Sequence, residues 1–365
     1  MSKKKHYYND DYYDDDIDDI ELPAKRSQKG NRSKKKKKTR RLIIIILVEF
    51  LLIAGLLIYL FVSNKLGKIN RYDVDTQKLD VTDLGLKDYY NIAVFGVDSR
   101  DAELQKGTRS DSIMLVSINT KSDEVKLTSF YRDTYSYIEG HDYTKLCHAY
   151  SYGGAELAIR TLNDNFDLDI TKFVTVNFNC VADAIDSLGG IEIDVTEKEV
   201  SSVNKYGSEV ARVSGKDYKE ITSAGKQTLD GCQAVGYARI RKIDDDFTRT
   251  SRQRTVVNAM LTKMKQSDFS TINNIFDQIL PEMLTNLEST EMLSILKDAM
   301  SYNIVDSEGF PYNKTTGYIG KGSYVIPTDL YGDVITLHKN LFGTDNYVPT
   351  EDVKKYSDHV KENIN

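Results

Sequence analysis

The sequence has no tryptophan, only three cysteines and only five prolines among its 365 residues. So few cysteines exclude a disulfide-dense scaffold, and no Cys-x-x-Cys pair indicates a zinc or redox site. Basic charge is also scarce over most of the chain, because residues 64–365 hold 35 basic and 46 acidic side chains, a net charge of −11. Non-specific binding to nucleic acid needs many lysines and arginines to displace counterions from phosphates. We therefore expect no nucleic-acid partner.

One long apolar run stands out near the N-terminus, at residues 42–63. It supplies the roughly 20 apolar residues that a membrane-spanning helix needs. No small-residue cleavage site follows it, so we interpret it as an uncleaved signal-anchor with a single span. Basic residues 34–41 precede the run, and the positive-inside rule then places the N-terminus in the cytoplasm. Everything after Ser63 is expected outside the cell membrane.

Charge blocks and composition divide the chain into five segments. The first forty residues carry an acidic block and then a basic one, and blocks of like charge do not fold. No linker rich in proline, glycine or serine interrupts the largest segment, so we expect a single large domain there. The predicted segments are a disordered cytoplasmic tail at 1–41, a transmembrane helix at 42–63, an extracellular stalk at 64–88, an extracellular domain at 89–345 and a C-terminal tail at 346–365.

Apolar runs alternate with helical spacings in the first half of the domain. Strands that alternate with helices predict an α/β sandwich around a mostly buried sheet. We predict strands at 90–97, 112–119, 124–130, 173–179 and 191–195, and helices at 152–166 and 181–188.

The second half of the domain is predicted to be mainly helical. The polar stretch 197–228 is expected to be rich in loops, and 229–241 is expected to be a short helix that runs into a strand. A turn-rich insertion is expected at 306–324. Further helices are predicted at 248–265, 269–280, 290–300 and 330–341.

Arginines occur in four short clusters although the domain is acidic. Arg109 and Asp111 are two residues apart just before a predicted strand, which lets both project to the same side. Arg132 and Asp133 directly follow the third predicted strand. That carboxyl end is where open α/β sheets bind ligands.

The other two clusters lie further along the chain. Arg239 and Arg241 alternate in a segment expected to be extended, which places two like charges side by side unless an anion lies between them. Arg249, Arg252 and Gln253 share one face at the start of a helix, and a helix N-terminus itself attracts an anion. Because a guanidinium group matches phosphate oxygens bidentately, the four clusters predict a phosphate or pyrophosphate site.

Pyrophosphate chemistry usually requires a divalent cation held by hard oxygen ligands. The candidate ligands of this cation are Asp98 and Asp111. Asp98 lies at the end of the first predicted strand and Asp111 at the start of the second, and adjacent strands could bring them together. No serine or cysteine nucleophile is indicated, and the three cysteines are interpreted as buried thiols. His148 is a candidate base or ligand, although a lone histidine before a helix is more often structural.

These motifs resemble those of the LytR-CpsA-Psr family, membrane-anchored enzymes of mainly Gram-positive bacteria that attach secondary polymers to the cell wall. Tyr131 and Thr248 stand where the family often has proline and glycine, but neither departure removes a charged group. The matching fragments occur in the family's order and are GTRSDSIM at 107–114, YRDT at 131–134, HAY at 148–150 with Gly153-Gly154, LGGIEIDV at 188–195, LDG at 229–231 through RIR at 239–241, and DFTRTSRQ at 246–253.

The resemblance implies a three-layer α/β/α sandwich and a Mg²⁺-dependent phosphotransferase. Its donor would be a glycopolymer, such as teichoic acid or capsule, on polyprenyl pyrophosphate. Its acceptor would be a peptidoglycan sugar hydroxyl, so that a phosphodiester forms. By family motif, Asp98 and Asp111 would bind the metal. The pyrophosphate contacts implied are Arg109, Arg132, Arg239, Arg241, Arg249 and Gln253, and the catalytic residues implied are Arg109, Asp111, Arg132, Arg239 and Arg241.

Two alternatives remain open at the level of sequence. Water could replace the sugar acceptor, which would make the protein a hydrolase of polyprenyl-pyrophosphate glycan. A non-catalytic envelope sensor or regulator that uses the cytoplasmic tail is the other alternative. Asp98 or Asp133 is the candidate base for the acceptor hydroxyl, although Asp133 could instead only orient Arg132.

Overall fold

The predicted cytoplasmic tail and nearly all of the predicted transmembrane helix lie outside the residues that the structure describes. Among the described residues, no helix is both long and apolar enough to cross a membrane. The described residues from 67 onward belong to one compact unit. The computed structural model describes residues 49, 52–53, 67–98, 104–241, 243–298 and 301–363.

The described residues form a mixed α/β domain. Its strands are β1 Asn70–Arg71, β2 Tyr89–Val97, β3 Ser110–Asn119, β4 Glu124–Phe130, β5 Tyr135–Ile138, β6 Asp142–Lys145, β7 Lys172–Asn177, β8 Ile191–Val195, β9 Gly225–Leu229, β10 Leu284–Thr285, β11 Asn303–Phe310, β12 Lys314–Ile319 and β13 Gly322–Pro327. Its α-helices are α1 His148–Phe166, α2 Phe178–Ser187, α3 Glu197–Ser214, α4 Gly231–Ala238, α5 Asp246–Lys265, α6 Phe269–Ile279, α7 Ser289–Asp298, α8 Leu330–Phe342 and α9 Glu351–Asn363.

A seven-stranded sheet lies at the centre, in the order β1-β10-β7-β2-β3-β4-β11. β7 is parallel to β2, β11 is parallel to β4, and β3 runs antiparallel between β2 and β4. The carboxyl ends of β2, β4, β7 and β11 therefore meet at one edge, together with the start of β3. We call this the carboxyl edge of the sheet.

Both faces of the sheet are covered by helices. Phe95 of β2 belongs to a core shared with Phe166 of α1 and Leu337 of α8. Ile92, three residues earlier in the same strand, belongs to a second core shared with Val257 of α5. Because successive side chains of a strand point to opposite faces, this alternation builds three layers, α/β/α.

A third core lies beside the sheet, among helices α2 to α6 and the β8-β9 ribbon. Ile185 of α2, Val203 of α3, Tyr237 of α4 and Val256 of α5 belong to it. Because α5 takes part in both this core and the core on one face of the sheet, it ties the two parts of the domain together.

Four of the seven strands of the central sheet, β2, β3, β4 and β7, were predicted from sequence. β4 has the predicted bounds, β2 begins one residue earlier than predicted and β3 begins two residues earlier. The predicted strand 173–179 ends at Asn177, whose side chain accepts a hydrogen bond from the amide of Cys180 and so begins α2.

The prediction of a loop-rich stretch at 197–228 is wrong, because α3 and β9 occupy most of it. A capping box starts α3: the Thr196 side chain accepts from the Glu199 amide, and the Glu199 side chain accepts from the Thr196 amide. Val203 and Val210 then fall on the buried face of the helix. Polar residues on its solvent face concealed this pattern in the sequence.

The expected strand at the end of 229–241 is also wrong. α4 ends at Ala238, and Arg239 is its C-cap residue with helical dihedral angles (φ −93°, ψ −2°). Arg239 and Arg241 therefore do not alternate along an extended segment.

The expected turn-rich insertion at 306–324 consists largely of strands. β11 pairs with β4 along its length and becomes an edge of the sheet. β12 and β13 form an antiparallel hairpin. Glycines and polar residues in these strands resemble turn residues in composition, but most of the strand residues involved are only partly buried.

Segments expected to flank the domain are part of its fold. Within 64–88, β1 pairs with β10, and Leu79 is fully buried. Within 346–365, α9 buries Val353, Tyr356 and Val360. These apolar side chains hold both segments against the domain, so neither is an unpacked stalk or tail over its described residues.

Gly154 shows why the Gly153-Gly154 motif matters for the site. Its backbone has φ +67°, and a Cβ atom placed there would lie 2.2 Å from the carbonyl oxygen of Gln105. Only glycine allows this close approach at this backbone angle. The first turns of α1 are thereby held against the loop that leads to Arg109.

Candidate phosphate site

Charged side chains from four parts of the chain meet at the carboxyl edge of the sheet. Asp98 follows β2, Asp111 lies at the start of β3, and Arg132 follows β4. The connection between α4 and α5, together with α5 itself, supplies the remaining groups. We define the arginine cluster as Arg132, Arg239, Arg241 and Arg249.

Asp111 connects two arginines of this cluster. Its Oδ1 lies 2.5 Å from Nη1 of Arg132, and its Oδ2 lies 2.7 Å from Nη2 of Arg241. Burial alone would raise the pKa of Asp111, but Arg132, Arg241 and Arg249 outweigh it, so the pKa is lowered. Asp111 is therefore a carboxylate at neutral pH.

Arg239 points to the other candidate metal ligand. Its Nη2 lies 3.8 Å from Oδ2 of Asp98, and its guanidinium carbon lies 5.1 Å from the centre of the Phe178 ring. Phe178 begins α2 directly after β7. The ring supports the guanidinium from one side, and Asp98 itself is 53% exposed.

Arg249 is the most deeply buried member of the arginine cluster, with 2% of its surface exposed. Its Nη2 pairs with Oδ1 of Asp246 at 2.6 Å. In the part of the chain that the structure describes, Nε and Nη1 of Arg249 are buried without a hydrogen-bond partner. Burial lowers the pKa of Arg249, Asp246 opposes this, and Arg132 and Arg241 add to it.

Other buried donors at and near the carboxyl edge also lack partners. Nε of Arg132 is buried without a hydrogen bond, and so are the hydroxyls of Thr108 and Ser110 in the described structure. Buried donors left unsatisfied are costly, and they are rare in folded proteins. Several of them at the edge where guanidinium groups meet indicate that the site takes up an anion.

Asp133 is engaged by cations rather than free. Its Oδ1 lies 3.0 Å from Nζ of Lys145, and its Oδ2 lies 3.7 Å from Nε of Arg132. This arrangement suits an orienting role for Asp133. Cys147 lies close by, and burial, reinforced by Asp133, raises the pKa of its thiol to about 12. A thiol that stays protonated is a poor nucleophile.

The remaining predicted site residues occupy the margins. Arg109 is exposed, two residues ahead of Asp111, and Gln253 is half-buried one turn beyond Arg249 on α5. Arg252 does not join the site, because it is buried between Glu199 and Asp244. Its role is to fasten α5 to α3.

Sequence reasoning missed several residues of the site. The sequence motif at 246–253 includes Asp246 but assigns it no role, although an aspartate at the start of a helix that carries Arg three positions later is a recognisable ion-pair spacing. Lys145 and Phe178 carried no sequence signal, because only the fold brings them to Asp133 and Arg239.

Tyr131, the residue that replaces the usual family proline, packs beside the site. Its ring meets that of Phe247 edge to face, with centroids 4.7 Å apart. Nζ of Lys314 lies 5.0 Å from the Tyr131 ring and 4.8 Å from the Phe247 ring. These cation–π and aromatic contacts connect the segment that carries Arg132 to the helix that carries Arg249.

The described residues contain no group of three or more His, Cys, Asp or Glu side chains that could hold a metal ion. Mg²⁺, however, is commonly bound by one or two carboxylates together with substrate phosphates. Asp98 and Asp111, at neighbouring strand ends beside the arginine cluster, fit a metal shared with a phosphate ligand.

Known proteins resemble this chain in sequence and in fold. The chain is 30% identical over 241 residues to polyisoprenyl-teichoic acid–peptidoglycan teichoic acid transferase TagT of Bacillus subtilis strain 168, with 64% of this chain and 72% of TagT covered. Protein gbs0355 from Streptococcus agalactiae has a similar structure, with a TM-score of 0.61, 25% identity, and 78% of this chain and 99% of that chain covered. A structure of TagT bound to LI-WTA matches with a TM-score of 0.56 and 25% identity, covering 75% of this chain and 94% of that one.

The mixed α/β fold with its central sheet is thus the fold of these solved structures. The model of the LytR_cpsA_psr family matches residues 56–338, which include the whole carboxyl edge. The chain belongs to the LytR-CpsA-Psr family.

Proposed function

We propose that this chain transfers a glycopolymer from a polyprenyl-pyrophosphate carrier to a peptidoglycan sugar hydroxyl and forms a phosphodiester. Its relative TagT is a polyisoprenyl-teichoic acid–peptidoglycan teichoic acid transferase. The observation that carries the proposal is Arg249, whose buried guanidinium lies near Arg132 and Arg241 and has two nitrogens without a hydrogen-bond partner among the described residues. Such a site favours a multiply charged anion such as pyrophosphate.

The reaction needs positioning and charge neutralisation more than covalent help. The acceptor oxygen attacks the phosphorus that bears the glycan, and the bond from that phosphorus to the bridging oxygen breaks, releasing polyprenyl phosphate. Arg249 and Arg132 donate hydrogen bonds to the pyrophosphate oxygens as negative charge develops on them. Asp111 holds Arg132 and Arg241 in place through its two oxygens.

We propose a magnesium site in which Asp98 and Asp111 would supply carboxylate ligands. The metal would neutralise phosphate charge and orient the leaving group. For the hydroxyl proton, Asp98 would act through the oxygen that does not bind the metal, because both oxygens of Asp133 face cations.

The proposed function requires the site to face the cell wall. We propose that residues 42–63 anchor the chain in the membrane as a single span, with the N-terminus in the cytoplasm. The support is the length and apolarity of this run and the basic residues before it. The folded unit would then work outside the membrane of a Gram-positive type of envelope.

The test uses the full-length chain in detergent with Mg²⁺, a synthetic lipid-pyrophosphate sugar donor and a peptidoglycan oligomer. Covalent transfer is detected by mass. We expect transfer by the wild type and loss of transfer in Arg249→Ala and Asp111→Ala. Arg212→Ala, an exposed arginine on α3, is the matched control and should retain full activity.

Two other outcomes would replace the proposal. Release of polyprenyl phosphate without glycan joined to the acceptor would make the chain a hydrolase. Binding of the donor without any reaction would make it a sensor or regulator.

A further inference from the structure

Two stacked aromatic rings lie on the solvent side of the site. His141, in the turn between β5 and β6, stacks on Tyr152 of α1 with ring centroids 4.1 Å apart and an interplanar angle of 20°. Tyr152 is 45% exposed and His141 is exposed as well. Neither side chain has a role in the phosphate site. An aromatic surface is therefore open to solvent next to the loop that leads to Arg109.

The ring pair is continuous with the phosphate site. His148 lies one turn before Tyr152 on α1, and their ring centroids are 5.8 Å apart. The amide of Gly107 donates a hydrogen bond of 3.3 Å to the carbonyl of Ser151, which fixes the loop leading to Arg109 next to Tyr152. A ligand that covers the rings would thus lie alongside Arg109.

His148 adds an uncharged polar group at the border between the rings and the arginines. Its Nδ1 lies 2.9 Å from Oγ1 of Thr144. In either neutral tautomer, Nε2 on the other side of the ring can exchange a hydrogen bond with a hydroxyl, which both donates and accepts. Burial lowers the pKa of His148, Arg109, Lys145 and Arg132 lower it further, and Asp133 opposes them, so the ring is neutral at neutral pH.

This combination matches a sugar ring. A pyranose has a face of C–H groups, which stacks on the electron-rich face of an aromatic ring, and a rim of hydroxyls that needs polar partners. The attacking and leaving oxygens must lie roughly in line across the phosphorus. Because Arg249 is buried, we expect the attacking oxygen to arrive from the solvent side, and Arg109 and Tyr152 are both exposed.

We infer that Tyr152, His141 and His148 form a binding subsite for one sugar ring of the acceptor glycan and so present its hydroxyl to the arginine cluster. The inference rests on the proposed function for the identity of the acceptor. The subsite itself is a binding surface that can be tested without any donor or chemistry.

The binding test uses the full-length chain and a soluble, uncross-linked peptidoglycan glycan oligomer. We expect Tyr152→Ala to weaken oligomer binding about tenfold, which corresponds to the loss of one aromatic stacking contact. Tyr152→Phe keeps the ring and should bind like the wild type. Tyr318→Ala removes a tyrosine that is 80% exposed on β12, and serves as the matched control with unchanged binding. Equal binding by Tyr152→Ala and Tyr318→Ala overturns the inference.

A kinetic test separates the acceptor from the donor. In the transfer assay, Tyr152→Ala should raise KM for the glycan oligomer about tenfold and leave KM for the lipid-pyrophosphate donor unchanged. A rise in donor KM alone would mean that the rings hold a sugar of the donor, and it would overturn the acceptor assignment. If the wild type binds the oligomer through Tyr152 but transfers nothing, the subsite is supported and the proposed function fails.

Discussion

Arg249 and Asp246 lie one turn apart on α5 and form a 2.6 Å ion pair at the buried floor of the arginine cluster. The pair is incomplete on both sides, since Nε and Nη1 of Arg249 and Oδ2 of Asp246 have no hydrogen-bond partner among the described residues. Burial raises the pKa of Asp246, with Arg249 opposing it. In the free protein, these unpaired atoms stay available to bind a ligand, and leaving them unpaired lowers the stability of the fold.

Removing one member of this pair should be costly, and removing both should cost less. Arg249→Met leaves the largely buried Asp246 carboxyl group without its cation, and we expect a loss of about 3–5 kcal/mol in the free energy of unfolding. The double variant Arg249→Met with Asp246→Asn should recover much of that loss while donor binding stays abolished. Urea unfolding of the wild type, both single variants and the double variant measures this coupling.

The same cycle made at Lys121 and Asp88 is the control, because that exposed ion pair contributes little. Additive effects of Arg249→Met and Asp246→Asn would show that the two side chains are energetically independent and would contradict the prediction.

Asp98 and Asp111 should respond differently to magnesium. Asp98 has one long contact with Arg239, so Asp98→Asn should mainly raise the Mg²⁺ concentration needed for half-maximal transfer, by about tenfold or more. Asp111 also holds Arg132 and Arg241, so Asp111→Asn should weaken donor binding even without Mg²⁺. Titrations of Mg²⁺ and of donor in EDTA distinguish the two. Identical profiles for the variants would contradict this division of roles.

Gly154→Ala should disturb the loop that leads to Arg109. The added Cβ atom would lie 2.2 Å from the Gln105 carbonyl, at a backbone angle that already costs a non-glycine residue about 1–3 kcal/mol. We expect a lower melting temperature together with weaker donor binding. Gly85→Ala is the matched control, because Gly85 also has a positive φ (+62°) but nothing within 4 Å of the added atom. If both variants lose only stability, the loop is not coupled to the site.

Asp333 should make stability depend on pH. Burial raises its pKa to about 6, although Asn313 donates its backbone and side-chain N–H groups to the carboxyl group. Between the unfolded pKa of 3.8 and about 6, the folded state binds more protons than the unfolded state, so the stability contribution of Asp333 falls as pH rises.

Asp333→Asn has no carboxyl group to ionise and should escape this loss. Its stability relative to the wild type should therefore rise between pH 4 and pH 7, by at most about 3 kcal/mol. Urea unfolding at several pH values measures the difference. A constant difference across this range would show that Asp333 does not titrate with folding.

Sequence patterns captured the centre of the fold because the central strands are long, apolar and bounded by turn residues. β4 kept its predicted bounds for this reason. α3 escaped prediction because its charged solvent face lowers its mean hydropathy, and β11 because it is an edge strand with polar residues. Whether these two segments form a helix or a strand depends on the parts of the fold that they pack against, and the local sequence does not contain that information.

The candidate site was predicted in part. The clustering of Arg132, Arg241 and Arg249 followed from short spacings and from the rule that ligands bind at the carboxyl ends of strands. The sequence did not predict which arginines stay available to a ligand. Arg252 has the same local pattern as Arg249, yet it is bound by Glu199 and Asp244. Which arginine is neutralised by the scaffold and which is left for a ligand is decided by tertiary contacts.

The position of β11 has a consequence for fragments and for nascent chains. β4 ends at the site and has β11 as its only outer neighbour in the described sheet, yet the two are separated by more than 170 residues of sequence. A polypeptide that stops at residue 265, where the recognisable motifs end, would expose the backbone groups of β4 along one side. Exposed strands of this kind recruit other chains. Such a fragment should aggregate although it contains every motif. A nascent chain can aggregate through β4 in the same way until Phe310, the last residue of β11, has been synthesised.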